Sequence, residues 1–215
     1  MGSRTETAMN ALDARQTDAL TELMNIAFGL TASKLSEISG SRVLIEAPIV
    51  GVHSIKDLSK ELGLLKSGDV AAVYQGFTGP ISGDALLFLD YKGAVRLSNL
   101  LGEESLHPRR LNFHTGEILT EIGNMLLGPC LGVFGNLLDV RISFEVPVLH
   151  LESLKPLLRS LSIAGDEARR AVVMAASFHM RQHDVSGQFA IALRSSALDR
   201  LIQAVEVWEG SQSVV

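Results

Sequence analysis

Two apolar rhythms alternate along this chain, one with the period of a helix and one with the period of a strand. From Leu20, the positions Leu23, Met24, Ala27, Phe28, Thr31, Leu35 and Ile38 recur every three or four residues. This predicts a helix to about Ser39, with Thr17 as N-cap and Gly40 as stop. Arg42–Val50 sets Val43 and Ile45 between polar neighbours and predicts a strand, with Pro48 near its end or at a sheet edge. Ile55–Leu64 has the spacing of a short amphipathic helix. Val70–Phe77 and Ala85–Asp90 are strand-like runs joined by Thr78–Gly83, a hairpin signature. Ala94–Leu101 is helical and Gly102–Arg110 is a polar connector. The same order then recurs. A helix covers about Thr115–Leu127 with room to continue, and a strand covers Arg141–Val148. A helix follows over Leu151–Leu161, then a hairpin pairing Ala171–His179 with Gln188–Leu193, and a closing helix over Ala197–Val207. Ser186-Gly187 precedes the last strand much as Ser82-Gly83 does in the first half.

Each half therefore reads helix–strand–helix–hairpin–helix. Three strands alone leave too much apolar sheet exposed. The expected architecture is α+β, a pseudo-two-fold duplicated domain with a mostly antiparallel six-stranded sheet covered by helices. Residues 1–16 are polar and read as a loose lead-in. Residues 17–210 read as a single domain of two repeats, about 17–105 and 112–210.

Composition narrows the function. A hydrophobic content of 47% supports a well-buried core, and with aromatics at 5% the aliphatic residues must fill it. A formal charge of −5 argues against a nucleic-acid binder, which presents a basic face. Cys130 is the only cysteine, which excludes an internal disulfide and any multi-cysteine metal site. It lies in an apolar run and reads as a small buried hydrophobe. The six histidines are scattered without ligand spacing. The opening residues lack the apolar core of a signal peptide and no uninterrupted apolar run reaches about 18 residues, so the expected location is cytoplasmic.

A polar motif occurs twice, 99 residues apart. The first copy is Asp18, Glu22, Asn25 and Pro48; the second is Glu117, Glu121, Asn124 and Pro147. Laying residues 18–50 over 117–149 without a gap also matches Leu20, Thr21, Gly29, Arg42 and Glu46 with Leu119, Thr120, Gly128, Arg141 and Glu145. A Glu and an Asn at i and i+3 share one helical face, with the acid at i−4 from the Glu on the same side. The apolar positions around them face elsewhere. Alone, such a pair is an ordinary solvated face. Two pairs at equivalent places, each followed by the same proline, are harder to explain that way, since Asn is a mediocre helix former.

The pattern [Asp/Ser]-x3-Glu-x2-Asn-x22-Pro resembles the signature of the CheC/CheX/FliY family of chemotaxis phosphatases. The resemblance spans about residues 15–209, and two copies in one chain look like the CheC arrangement. It implies hydrolysis of the aspartyl phosphate on a response regulator of the CheY type. On that resemblance, Asn25 and Asn124 orient the attacking water. Glu22 and Glu121 contact a lysine of the receiver domain. Asp18 and Glu117 support the site, and Pro48 and Pro147 are structural. The Mg²⁺ that neutralises the phosphoryl group belongs to the receiver, so no cofactor is expected on this chain. A CheD-like deamidase is a further expected partner, and neither nucleic acid nor membrane insertion is expected. Two positions depart from the pattern. Glu117 stands where Asp or Ser is preferred, and Pro129 falls one turn after Asn124, where a continuing helix would lose a hydrogen bond to the Met125 carbonyl. The alternative is a docking module of the same fold with little turnover, binding a receiver, a flagellar switch component or a CheD-like protein.

Overall fold

The computed structural model describes residues 12–54, 70–102, 111–152, 170–194 and 197–212. The helix expected over Ile55–Leu64, most of the connector Gly102–Arg110 and most of the helix expected over Leu151–Leu161 lie outside them. Helix α1 spans Ala14–Ser39, followed by strands β1 (Leu44–Ile45), β2 (Ile49–Ser54), β3 (Val70–Thr78) and β4 (Gly83–Asp90). Helices α2 (Tyr91–Leu101) and α3 (Phe113–Leu137) come next, then β5 (Ser143–Phe144), β6 (Val148–Glu152), β7 (Arg170–Met180), β8 (Val185–Arg194) and helix α4 (Leu198–Gln212). The fold is α+β, as expected.

Helix α1 begins three residues before Thr17, because Asp13 and Gln16 form a capping box. The Asp13 carboxylate accepts from the Gln16 amide N–H at 2.8 Å, and the Gln16 side chain accepts from the Asp13 N–H at 3.1 Å. Helix α3 opens the same way on Asn112 and Thr115, at the equivalent places 99 residues on. Their C-terminal ends correspond too. Gly40 sits in the left-handed region at φ 61°, and its counterpart Asp139 at φ 51°. Helix α3 runs on through Pro129, whose ring is exposed, for two further turns. By length and composition alone α3 could cross a membrane, but half of its most apolar window is buried inside this fold.

The eight strands form one antiparallel sheet, ordered β1-β7-β8-β4-β3-β5, with β2 also on β7 and β6 also on β3. Eight strands thus occupy six positions, because each edge is one run broken in two. On the first edge Ile45 faces Phe178, whereas Ile49 faces Ala175. Four steps on the edge match three on β7, so one extra residue is inserted at Glu46–Pro48. The second edge repeats this, with Phe144 facing Phe77 and Val148 facing Tyr74. Each break is a β-bulge at the motif proline, which has no N–H to donate to the ladder. The strands expected as continuous over Arg42–Val50 and Arg141–Val148 are corrected accordingly. The second continues to Glu152, so Leu151 and Glu152 are strand where a helix was expected. In the second hairpin the turn lies at Arg181–Asp184, which places Ser186-Gly187 inside β8, not before it.

The edge strands are exchanged between the halves. The first half's β1 and β2 lie on β7 of the second, and the second half's β5 and β6 lie on β3 of the first. Between them β4 and β8 pair at the centre, with Leu86 opposite Ala190. On one sheet face Ala71, Val73, Leu87, Phe189, Ile191 and Met174 join the buried faces of α1 and α3 in a single core. Phe28 stacks on Phe189 at 6.1 Å, and Phe189 on Phe178 at 4.7 Å, tying α1 to the sheet. Fully burying each such side chain contributes about 1.5–3 kcal/mol. The other face is buried as well, through small residues such as Ala72, Ala175, Ala190 and Ala192 and the larger Leu86 and Phe88.

Candidate functional site

Helix α1 buries Leu20, Leu23, Met24, Ala27 and Phe28 on the sheet, which turns Asp18, Glu22 and Asn25 to the opposite, exposed side. Helix α3 does the same. Leu119 and Ile122 are buried and Ile118 and Met125 half-buried, while Glu117, Glu121 and Asn124 are exposed. Every acid and amide of the two motifs therefore stands clear of the core. Among the described residues, Glu22, Asn25, Glu121 and Asn124 take no hydrogen bond or ion pair within the chain. Glu117 lies 3.9 Å from His114, an exposed pair that contributes little. Behind the motif faces, the Thr21 and Thr120 hydroxyls donate to the carbonyls of Thr17 and Gly116, at 2.7 and 2.9 Å. The match of these threonines in sequence is thus a match of local structure.

The two motif helices meet at Thr31 and Cys130. The Cys130 thiol, buried and in contact with the Thr31 hydroxyl, has its pKa pushed up to about 11 by burial. It is the inert, packed cysteine expected from its surroundings. Thr31 and Cys130 are themselves equivalent residues, 99 apart. Leu86 and Ala190 are equivalent by their place in the sheet, since each pairs with the residue of its own hairpin (Tyr74, Ala175) that lies opposite the equivalent edge residues Val148 and Ile49. Equivalent residues touch only on a two-fold axis. The pseudo-dyad therefore passes between Leu86 and Ala190 in the sheet and between Thr31 and Cys130 in the helix layer. Asn25 and Asn124 each lie six residues before that crossing, about 9 Å along the helix at 1.5 Å per residue. The two Glu/Asn pairs consequently open on the same side of the molecule, on opposite flanks of the axis.

Pro48 and Pro147 are not on these faces: they sit in the edge bulges. At the second bulge Glu145 donates its N–H to the Gly76 carbonyl and accepts on its own carbonyl from the buried Gln75 side chain, at 2.9 and 3.0 Å. At the first, the Glu46 N–H bonds the Ser177 carbonyl at 2.9 Å. The Glu46 carboxylate also bonds His179, whose other ring nitrogen meets Ser186, at 3.0 and 2.9 Å. This exposed chain of contacts ties the first edge bulge across β7 to β8. Its second-half counterpart differs, since Glu145 lies over Gly76. The sequence reading missed it, because Glu46 reaches the hairpin pair His179 and Ser186 from a distant segment. Among the described residues no three His, Cys, Asp or Glu gather as a metal site.

A CheC-like family model matches residues 16–52, which hold the first motif from Asp18 to Pro48. Among solved structures the fold matches FliY from Thermotoga maritima with a TM-score of 0.72 at 18% identity, covering 92% of this chain and 98% of that one. It matches the FliM middle domain from H. pylori at 0.64 and 12%, covering 90% and 99%. A chemotaxis protein CheX from Desulfovibrio desulfuricans matches at 0.54 and 17%, covering 80% and 99%. The architecture is thus shared with the FliY, FliM and CheX structures. The resemblance to the CheC/CheX/FliY family read from the sequence is borne out by the family match at α1 and by this shared fold.

Proposed function

We propose that this protein is a phosphatase acting on the aspartyl phosphate of a CheY-type response regulator in the cytoplasm. The observation that carries the reading is the pair of Glu/Asn faces, exposed, unpartnered and related by the pseudo-dyad. Hydrolysis of an acyl phosphate needs little covalent help; positioning a water in line with the phosphorus supplies much of the gain. A carboxamide suits this task. Its oxygen accepts and its NH₂ donates, and it brings no negative charge towards the phosphoryl group. Asn25 or Asn124 holds the water, whose oxygen forms the new P–O bond as the aspartyl carboxylate leaves. The water's protons pass to phosphate and solvent. Glu22 or Glu121, one turn away, pairs with a lysine of the receiver and fixes the pose. Asp18 and Glu117 extend the acidic face by a further turn. The receiver carries the Mg²⁺.

The test is the decay of a phosphorylated CheY-type receiver with the wild-type protein and with Asn25→Ala/Asn124→Ala. Acceleration is expected from the wild type only, with the variant's thermal midpoint unchanged because both side chains are exposed. A variant as active as wild type would remove the asparagines from the reaction.

A docking role is the second reading. The same fold occurs in H. pylori FliM, which has been crystallised in complex with SpeE. Binding to a receiver or a CheD-like protein without acceleration of phosphate release would favour it.

A further inference from the structure

One turn beyond each motif asparagine lies a glycine, Gly29 in α1 and Gly128 in α3, at equivalent places in the two copies. Glycine in a helix interior is destabilising relative to alanine, because it loses more backbone freedom on folding. Such a residue is usually kept for close packing, and three other glycines of α3 show this. A Cβ on Gly123 would press into Val73, one on Gly135 would crowd Ile142 and the Val140 carbonyl, and one on Gly116 would meet Leu149. At Gly29 and Gly128 an added Cβ would meet nothing within 4 Å. Neither glycine has a positive φ to explain it. Among the described residues, nothing requires them.

What the two glycines share is their position. Gly29 lies at i+4 from Asn25 and i+7 from Glu22, on the same helical face. Gly128 stands in the same relation to Asn124 and Glu121. Beside them the next residues are exposed and apolar: Leu30 is 53% accessible, and Pro129 takes the equivalent place in α3. Each motif face thus continues from a carboxylate to a carboxamide to a bare stretch of helix backbone. A side chain that would stand off a partner is missing there.

We infer that Gly29 and Gly128 are positioning residues for the proposed reaction: each leaves the clearance that lets the receiver's phosphate-bearing loop settle against the helix, so that the asparagine reaches the phosphoryl group. This rests on the phosphatase reading. A Cβ at either place lifts the partner, and a misplacement of about 1 Å is enough to cost on the order of 100-fold in rate.

The experiment is steady-state phosphate release from a CheY-type receiver kept phosphorylated with acetyl phosphate, beside thermal melts of the same proteins. The variants are Gly29→Ala/Gly128→Ala and Gly132→Ala. Gly132 is also open, but its counterpart in α1 is Ser33, which already carries a Cβ. The double variant is expected to melt at or above the wild-type temperature while kcat/KM falls at least tenfold, with KM for the receiver raised. Gly132→Ala is expected to keep wild-type kcat and KM. Wild-type kinetics in the double variant would overturn the inference, as would a loss of activity that tracks a lower melting temperature. A wild-type protein that does not accelerate phosphate release would overturn the functional reading and this inference together.

Discussion

At the scale of single residues, the two copies of the repeat show how different residues fill equivalent structural places. Asp139 occupies the left-handed position that Gly40 holds after α1. An L-residue with a carboxylate is disfavoured there twice, by its Cβ and by the negative end of the helix dipole. Asp139→Gly is expected to stabilise the protein by about 1 kcal/mol, read as a higher urea midpoint with an unchanged slope; an equal or lower midpoint would show that the aspartate has its own stabilising role. The capping boxes make the converse point. Asp13 with Gln16 and Asn112 with Thr115 do the same work with different residues, so identity alone undercounts the repeat. The first box was open to reading in the sequence, as an acid three residues before an amide. The helical spacing starting at Leu20 drew the start to Thr17 instead.

At the scale of elements, periodicity was a good guide to faces and a poor guide to edges. The exposure of Glu22, Asn25, Glu121 and Asn124 follows from the 3.6-residue spacing of their apolar neighbours, and so was legible. The breaks at Pro48 and Pro147 were not, because a single inserted residue leaves the alternation on either side intact and only shifts its register. Nor could alternation say that β2 lies on β7, since a strand's pattern records which side is buried and not which strand is beside it. Packing between elements gives a sharper test at Gly123, inside the second motif. Its counterpart in α1 is the buried Met24, so α3 lies against β3 in a way that α1 does not match. Gly123→Ala is expected to destabilise the fold by about 1–3 kcal/mol through overpacking against Val73. Denaturant unfolding checks this, and a neutral result would mean that α3 can shift on the sheet at little cost. The contrast with Gly128, five residues on in the same helix, separates a glycine required by the core from one that is not.

At the scale of the molecule, the exchanged edges make the halves interdependent. Residues 12–110 alone would carry β1 and β2 with no β7 to pair with, and a β3 stripped of β5 and β6. That half is expected not to fold as a monomer. Size-exclusion chromatography with light scattering should find a dimer rebuilt by mutual strand exchange, or aggregate; a monomer with cooperative unfolding would show that the exchange is dispensable. The pseudo-two-fold arrangement was legible from the repeat, because two copies of a three-stranded unit have few ways to complete one sheet. The exchange was not legible, because its contacts join residues far apart in the chain, from Thr78 with Ser143 to Leu44 with His179.

The exchanged edges also bear on how such a chain can change over generations. A duplicated protein is ordinarily free to discard its spare copy. Here a deletion that removed either half would take an edge strand from the survivor, so selection for a folded product retains both. The side chains of the two proposed sites are under no such compulsion, because they stand outside the core. One Glu/Asn pair can therefore drift, fall silent or acquire a new preference while its twin keeps the original task. Inheritance binds the two scaffolds together and leaves the two sites independent.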